Sequence, residues 1–197
     1  EIFSKQELTI ENGEFKELLV SGSFSVSLSN SKNLTKLAIS SNSLVNGKGC
    51  NLTQLQELKV FLFPDSSNCD KLFNTLNELS NLTSLSIVWM QNCDDELKGK
   101  IFSSLISTLL RLKKVKAVSL RAKKDIKVDY PPTLFNPQKT QLEMLEIEIQ
   151  NLSTLRDWEP QIDSLKNLTK LVLRFAIKPT TKEENENEEE EEEDGEF

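Results

Sequence analysis

The sequence predicts an α/β chain built as a curved solenoid of about seven irregular repeats, with a parallel sheet lining its concave side. Three observations carry this. An apolar triplet of fixed internal spacing recurs seven times, helical periodicity fills most of the gaps between copies, and acidic residues crowd into one short segment at the C-terminus.

The triplet is apolar, two residues, apolar, one residue, apolar. Its clearest copies are Leu34/Leu37/Ile39, Leu55/Leu58/Val60, Leu82/Leu85/Ile87, Val115/Val118/Leu120, Leu142/Leu145/Ile147 and Leu168/Leu171/Leu173, preceded by a weaker Phe15/Leu18/Val20. First positions are 19, 21, 27, 33, 27 and 26 residues apart. One such triplet means little, because any amphipathic segment produces it. Six good copies near a period of about 25 indicate stacked units, each unable to bury its apolar side alone. The last two positions of each triplet alternate, so they point to one side of a short strand, and the first marks the turn into it.

Between triplets, Leu72, Phe73, Leu76 and Leu79 fit one helix face, with Asp70 as a candidate cap. Leu97, Ile101, Phe102, Leu105, Leu109 and Leu112 fit a longer helix, which accounts for the 33-residue gap. Ile162 and Leu165 fit a short helix after Pro160.

The net charge of −7 is unevenly placed. Residues 182–197 hold 11 of the 31 acids and 1 of the 24 bases, so residues 1–181 are near +3. The expected division is therefore a repeat domain over 1–181, truncated N-terminally, and a disordered acidic tail over 182–197, where dense like charge opposes ordering.

Composition excludes most enzyme classes. The chain has no His, only 6 Gly and no glycine-rich phosphate loop, so nucleophilic, metal and nucleotide chemistry lack their usual parts. The adjacent Asp94, Asp95 and Glu96 fit a loop or a helix N-terminus. Cys50, Cys69 and Cys93 are odd in number and widely spaced, which fits reduced thiols better than a disulfide framework or a zinc site. No cofactor, metal or small-molecule substrate is expected. No apolar run reaches a membrane-spanning length.

The repeating NLTKLAI, NLTSLSI and NLTKLVL units resemble leucine-rich repeats. A narrower resemblance covers about 20 residues: Leu155, Trp158, Ile162, Leu165, Leu168 and Leu171 follow the "W-I-x-S-L-x-N-L-x-x-L" segments of plant intracellular nucleotide-binding leucine-rich-repeat immune receptors. That resemblance implies a repeat region that recognises a pathogen, pest or host protein in innate immunity, in the cytoplasm or at the nucleus or a membrane periphery. A constitutive intracellular adaptor or scaffold is the alternative reading. A glycosylated receptor ectodomain ranks third, although five N-x-S/T sequons occur, at Asn33, Asn51, Asn81, Asn151 and Asn167. The Asn that follows extracellular repeats of this kind is present only at Asn42. "NLT" also reads as repeat consensus, with Asn in the turn and Thr near the strand.

Residues between the apolar positions should face the concave surface. The candidates for protein contact are Lys36, Lys59, Phe61, Val88, Arg121, Met144, Glu146, Val172 and Arg174, with Phe61, Val88, Met144 and Val172 as exposed apolar groups. Trp89 and Trp158 are expected to pack between repeats. The basic stretch from Arg111 to Lys127 has little aromatic interleaving, so a solvated edge is expected there and no nucleic-acid partner.

Overall fold

In a computed structural model, the described residues are 7–11, 15–20, 25–29, 33–46, 52–124, 126–135, 141–149 and 152–175. The expectations for the acidic tail, Cys50, Asn51 and Asn151 fall outside them.

Seven strands form one all-parallel sheet. Strand β1 is Glu7–Glu11, β2 Glu17–Leu19, β3 Ser25–Ser29, β4 Lys36–Ser40, β5 Glu57–Leu62, β6 Ser84–Trp89, β7 Ala117–Ala122, β8 Met144–Ile149 and β9 Lys170–Phe175. The order in the large sheet is β2-β4-β5-β6-β7-β8-β9. Helices alternate with the strands: α1 (Ser41–Asn46), α2 (Ser66–Asn77), α3 (Asp95–Arg111) and α4 (Leu152–Ser164), with one 3-10 turn at Pro132–Leu134.

The triplet phase is the register of the sheet. Leu18, Leu37, Leu58, Leu85, Val118, Leu145 and Leu171 stand side by side, one per strand. Ile39, Val60, Ile87, Leu120, Ile147 and Leu173 form a second row. From β4 to β8 both rows are buried and join one core with Leu72, Phe73 and Leu76 of α2 and Ile101, Leu105 and Leu109 of α3. The first triplet positions join it too, as the burial of Leu34, Leu55, Leu82, Val115 and Leu142 shows.

Just ahead of the strands runs a ladder of turn hydrogen bonds. Thr35, Gln56, Thr83, Lys116, Glu143 and Thr169 each donate a backbone N–H to the matching carbonyl of the preceding unit, at 2.7–3.0 Å. In the three units that place N-L-T directly ahead of the strand, the threonine hydroxyl donates to that same carbonyl: Thr35 to Lys16, Thr83 to Gln56 and Thr169 to Glu143, at 3.0–3.2 Å. The Asn81 amide also reaches back, donating to the Thr53 carbonyl at 2.7 Å. These sequon residues thus tie one unit to the next.

The long helix α3 begins where its sequence directs. Asp94 caps it, its carboxylate accepting from the Leu97 N–H at 2.7 Å, and Asp95 and Glu96 sit in the first turn against the positive end of the helix dipole. Several sequence expectations need correction. Asp70 lies inside α2 and caps nothing, because the helix starts at Ser66. Pro160 lies inside α4. It has no N–H for the Arg156 carbonyl, yet the helix continues to Ser164, with Trp158 buried against Phe135 at 6.0 Å between ring centroids. Phe15 is 54% exposed and holds no core position.

Three elements have no counterpart in the expectations. β1 and β3 pair with each other as a separate two-stranded parallel sheet, and α1 follows β4 directly. Trp89 is buried as expected, 5.9 Å from Phe102, which in turn lies 5.9 Å from Tyr130.

The end of the row differs from its middle. Leu85 is 0% exposed and Leu171, its equivalent on the last strand, is 39% exposed. Leu85→Ala should therefore cost about 3–5 kcal/mol in urea unfolding, whereas Leu171→Ala should cost about 1 kcal/mol. Equal losses at the two positions would contradict the stacking described here.

Candidate functional site

Alternate residues on each strand point away from the core and build the open face of the sheet. Its first row is Glu17, Lys36, Glu57, Ser84, Ala117, Met144 and Lys170; the second is Leu19, Ala38, Lys59, Ser86, Ser119, Glu146 and Val172. Phe61, Val88 and Arg121 continue a third row from Ser40, and Arg174 sits at its far end beside Glu148. All nine candidate contact residues are thus on one face, in three rows.

The face is not uniformly open. Phe61, Val88, Met144 and Val172 are half-buried rather than exposed. Lys59 places its ammonium 5.0 Å from the centre of the Phe61 ring, a cation–π distance. Glu146 was expected to meet solvent, and its side chain is only 4% exposed.

Charge is organised into two opposed groups. At the β2–β5 end, Lys36 stands between Glu17 and Glu57, at 3.1 and 3.3 Å. The hydrogen bonds that its ammonium donates to those two carboxylates push the lysine pKa up. All three groups are solvent-exposed, so their attraction adds little to stability. At the β7–β9 end the arrangement inverts: Glu146 stands between two arginines. Its Oε2 accepts from Arg121 Nη2 at 2.6 Å and from Ser119 Oγ at 2.9 Å, and its Oε1 accepts from Arg174 Nε. Between the two groups lie Ser84, Ser86 and Ala117, small and uncharged. A broad depression of about 470 Å³ opens over the first group, lined by Glu17, Leu19, Lys36, Ala38, Lys59 and Ser86 among others.

Burial alone would raise the Glu146 pKa. Hydrogen bonds from Arg121, Arg174 and Ser119 outweigh it and bring the carboxyl down to about 2. Nearby, the β7–β8 ladder ends at the Leu120 and Ile147 pair, and the Glu148 carboxylate accepts from the Ala122 N–H at 3.1 Å. The Tyr130 hydroxyl donates to the Arg121 carbonyl at 3.1 Å, and burial pushes its own pKa well up. The backbone behind Arg121 is therefore held from both sides.

The charged grouping was not anticipated from the sequence. Glu146 is 25 residues from Arg121 and 28 from Arg174, separations that match the repeat period. Aligning the strands in phase places Glu146 diagonally between them, and that is the signal that would have found the group. The basic stretch is partly spent within the protein. Lys114 donates to Asn81 Oδ1 at 2.6 Å, Lys116 pairs with Glu143 at 2.7 Å, and Arg121 pairs with Glu146.

Among the described residues, no group of three or more His, Cys, Asp or Glu is placed to hold a metal ion, and no helix is long and apolar enough to cross a membrane. Cys69 and Cys93 are free, and burial pushes both thiols up, away from the reactive thiolate form.

Because Glu146 is ionised in the folded protein far below the pKa of an unfolded glutamate, its contribution is fully present above about pH 4.5 and is lost as pH falls towards 2. Glu146→Gln should flatten that part of the stability–pH curve, removing an acid-sensitive contribution on the order of 2 kcal/mol. Parallel curves for the variant and the parent between pH 5 and about 2, read by urea unfolding, would show that the carboxylate is not held as described.

Comparison with known proteins returns no matching family model, no matching curated protein and no matching solved structure.

Proposed function

We propose that this chain is a leucine-rich-repeat recognition domain, coiled as a solenoid, whose open sheet face binds a protein. One observation carries the reading: the apolar triplets, about 25 residues apart, lie side by side as rows of a parallel sheet, as stacked repeats of this kind require. Such stacking leaves a continuous multi-strand surface that belongs to no single unit, and it suits an extended contact with a macromolecule.

The chemistry of the face favours protein as that macromolecule. Half-buried Phe61, Val88, Met144 and Val172 lie among groups of both signs, with Lys36 between two carboxylates and Glu146 between two guanidiniums. A nucleic-acid backbone needs a field of one sign, and here the signs alternate. Mixed apolar and polar composition is what protein interfaces carry.

The biological setting rests on the resemblance of the segment from Leu155 to Leu171 to plant intracellular immune receptors. On that reading the domain senses a pathogen or pest protein, or a host partner, in plant innate immunity, and does so in the cytoplasm. The free thiols at Cys69 and Cys93 are in keeping with a reducing compartment.

The test is capture of a partner by the tagged full chain in plant cells, with and without pathogen challenge. Lys59→Glu and Val88→Arg, both on the open face, should weaken capture at least about tenfold while leaving the circular dichroism spectrum unchanged. Asn74→Arg, on the exposed side of α2, should leave capture intact. A partner that ignores the open-face substitutions would overturn this reading, and one captured equally without challenge would replace sensing with an adaptor role.

A further inference from the structure

We infer that Arg121 and Arg174, spread apart by the buried Glu146, form a binding site for one carboxylate, and that its ligand is an acidic side chain of a protein partner. The inference rests on the proposal that the open face binds protein, and it names the chemistry of one part of that face.

Glu146 sits on β8, between the strands that carry the two arginines. Its carboxylate is 4% exposed, while the arginine side chains are 40% and 52% exposed. The carboxylate therefore acts from beneath as a fixed post, and the guanidiniums lean over it towards solvent. Each gives Glu146 only part of its donor set: Arg121 uses Nη2 and Arg174 uses Nε. The two Nη groups of Arg174 have no protein acceptor among the described residues. Arg121 Nε is buried and has no acceptor either. That atom lies out of a ligand's reach, so the donors left for one are on the exposed guanidiniums, the Arg174 Nη groups first.

The charge balance selects the ligand. Two guanidiniums against one carboxylate leave +1, which one further carboxylate neutralises. A phosphate dianion would leave an excess of negative charge. The planar guanidinium fork also matches a planar carboxylate. Met144 and Val172, half-buried beside the pair, supply the apolar contact that a peptide offers and a free ion does not.

The test uses the full chain and a fluorescein-labelled hexa-aspartate peptide, followed by anisotropy at low and at physiological salt. The peptide should bind, more tightly at low salt. Arg174→Gln should weaken binding about tenfold, and Arg174→Lys should weaken it too, because a lysine lacks the fork. Lys123→Gln, in the basic stretch, should leave it unchanged. Glu146→Gln is the decisive variant. It raises the local charge by one, so simple attraction would make it bind more tightly, whereas loss of the post that positions both arginines weakens binding. Tighter binding by Glu146→Gln, displacement of the peptide by inorganic phosphate at equal ionic strength, or no binding at all would overturn the assignment. If the peptide fails to bind while Lys59→Glu still abolishes partner capture, the carboxylate site falls and the protein-binding face stands.

Discussion

Leu85 and Ile87 cannot be buried by the unit that carries them. A six-residue strand with one apolar side needs a strand on each flank and a helix behind it, and here the flanks come from residues more than twenty positions away in both directions. Everything else in the fold follows from that dependence. The rows must be in phase, or Leu58, Leu85 and Val118 would not meet. The turns must return the chain to the same height, which the ladder through Thr35, Gln56, Thr83, Lys116, Glu143 and Thr169 does with one backbone donor per unit. The ends must be weaker than the middle: Leu171, in the core row of the last described strand, lacks one flank among the described residues and is 39% exposed.

The same constraint decides what the open face can be. Residues there have no choice of neighbours: once the inner rows are fixed, the outer rows are fixed too. Lys36 meets Glu17 and Glu57 at one height on adjacent strands, and Glu146 meets Arg121 and Arg174 diagonally, each two residues further along its own strand than the register partner of Glu146. The two sets differ in burial, and that difference matters more than their geometry. The lysine group is immersed in water and its ion pairs are screened. The glutamate group has its carboxylate inside, so its charges are coupled strongly and its arginines are held in place.

Much of this was legible in the sequence. β4 to β9 coincide with the last two positions of six triplets, since a spacing of two residues, repeated in phase, puts both side chains on one side of a strand. α3 was legible from its apolar spacing and its acidic start. The remaining elements were hidden for specific reasons. β1 and β3 carry Leu8/Ile10 and Val26/Leu28, plain alternations that lack the leading third position and so do not match the repeat. α1 is six residues long, too short for helical periodicity to show. Pro160 reads as a helix start because its ring suits the first turn, and it stands inside α4, two residues after the buried Trp158. Glu146 reads as solvent-facing because lone carboxylates usually are. Its burial depends on partners in two other units.

Backbone nuclear Overhauser contacts across the sheet test the stacking itself. In the 22.4 kDa chain, side-by-side repeats predict parallel cross-strand contacts that link Ser86 on β6 to Ser119 on β7, and Ser119 to Glu146 on β8, with matching contacts at Lys59 and Val172. Antiparallel contacts between these segments, or helical contacts within them, would show that the recurring triplets do not set the register, and the open face with its buried glutamate would not exist.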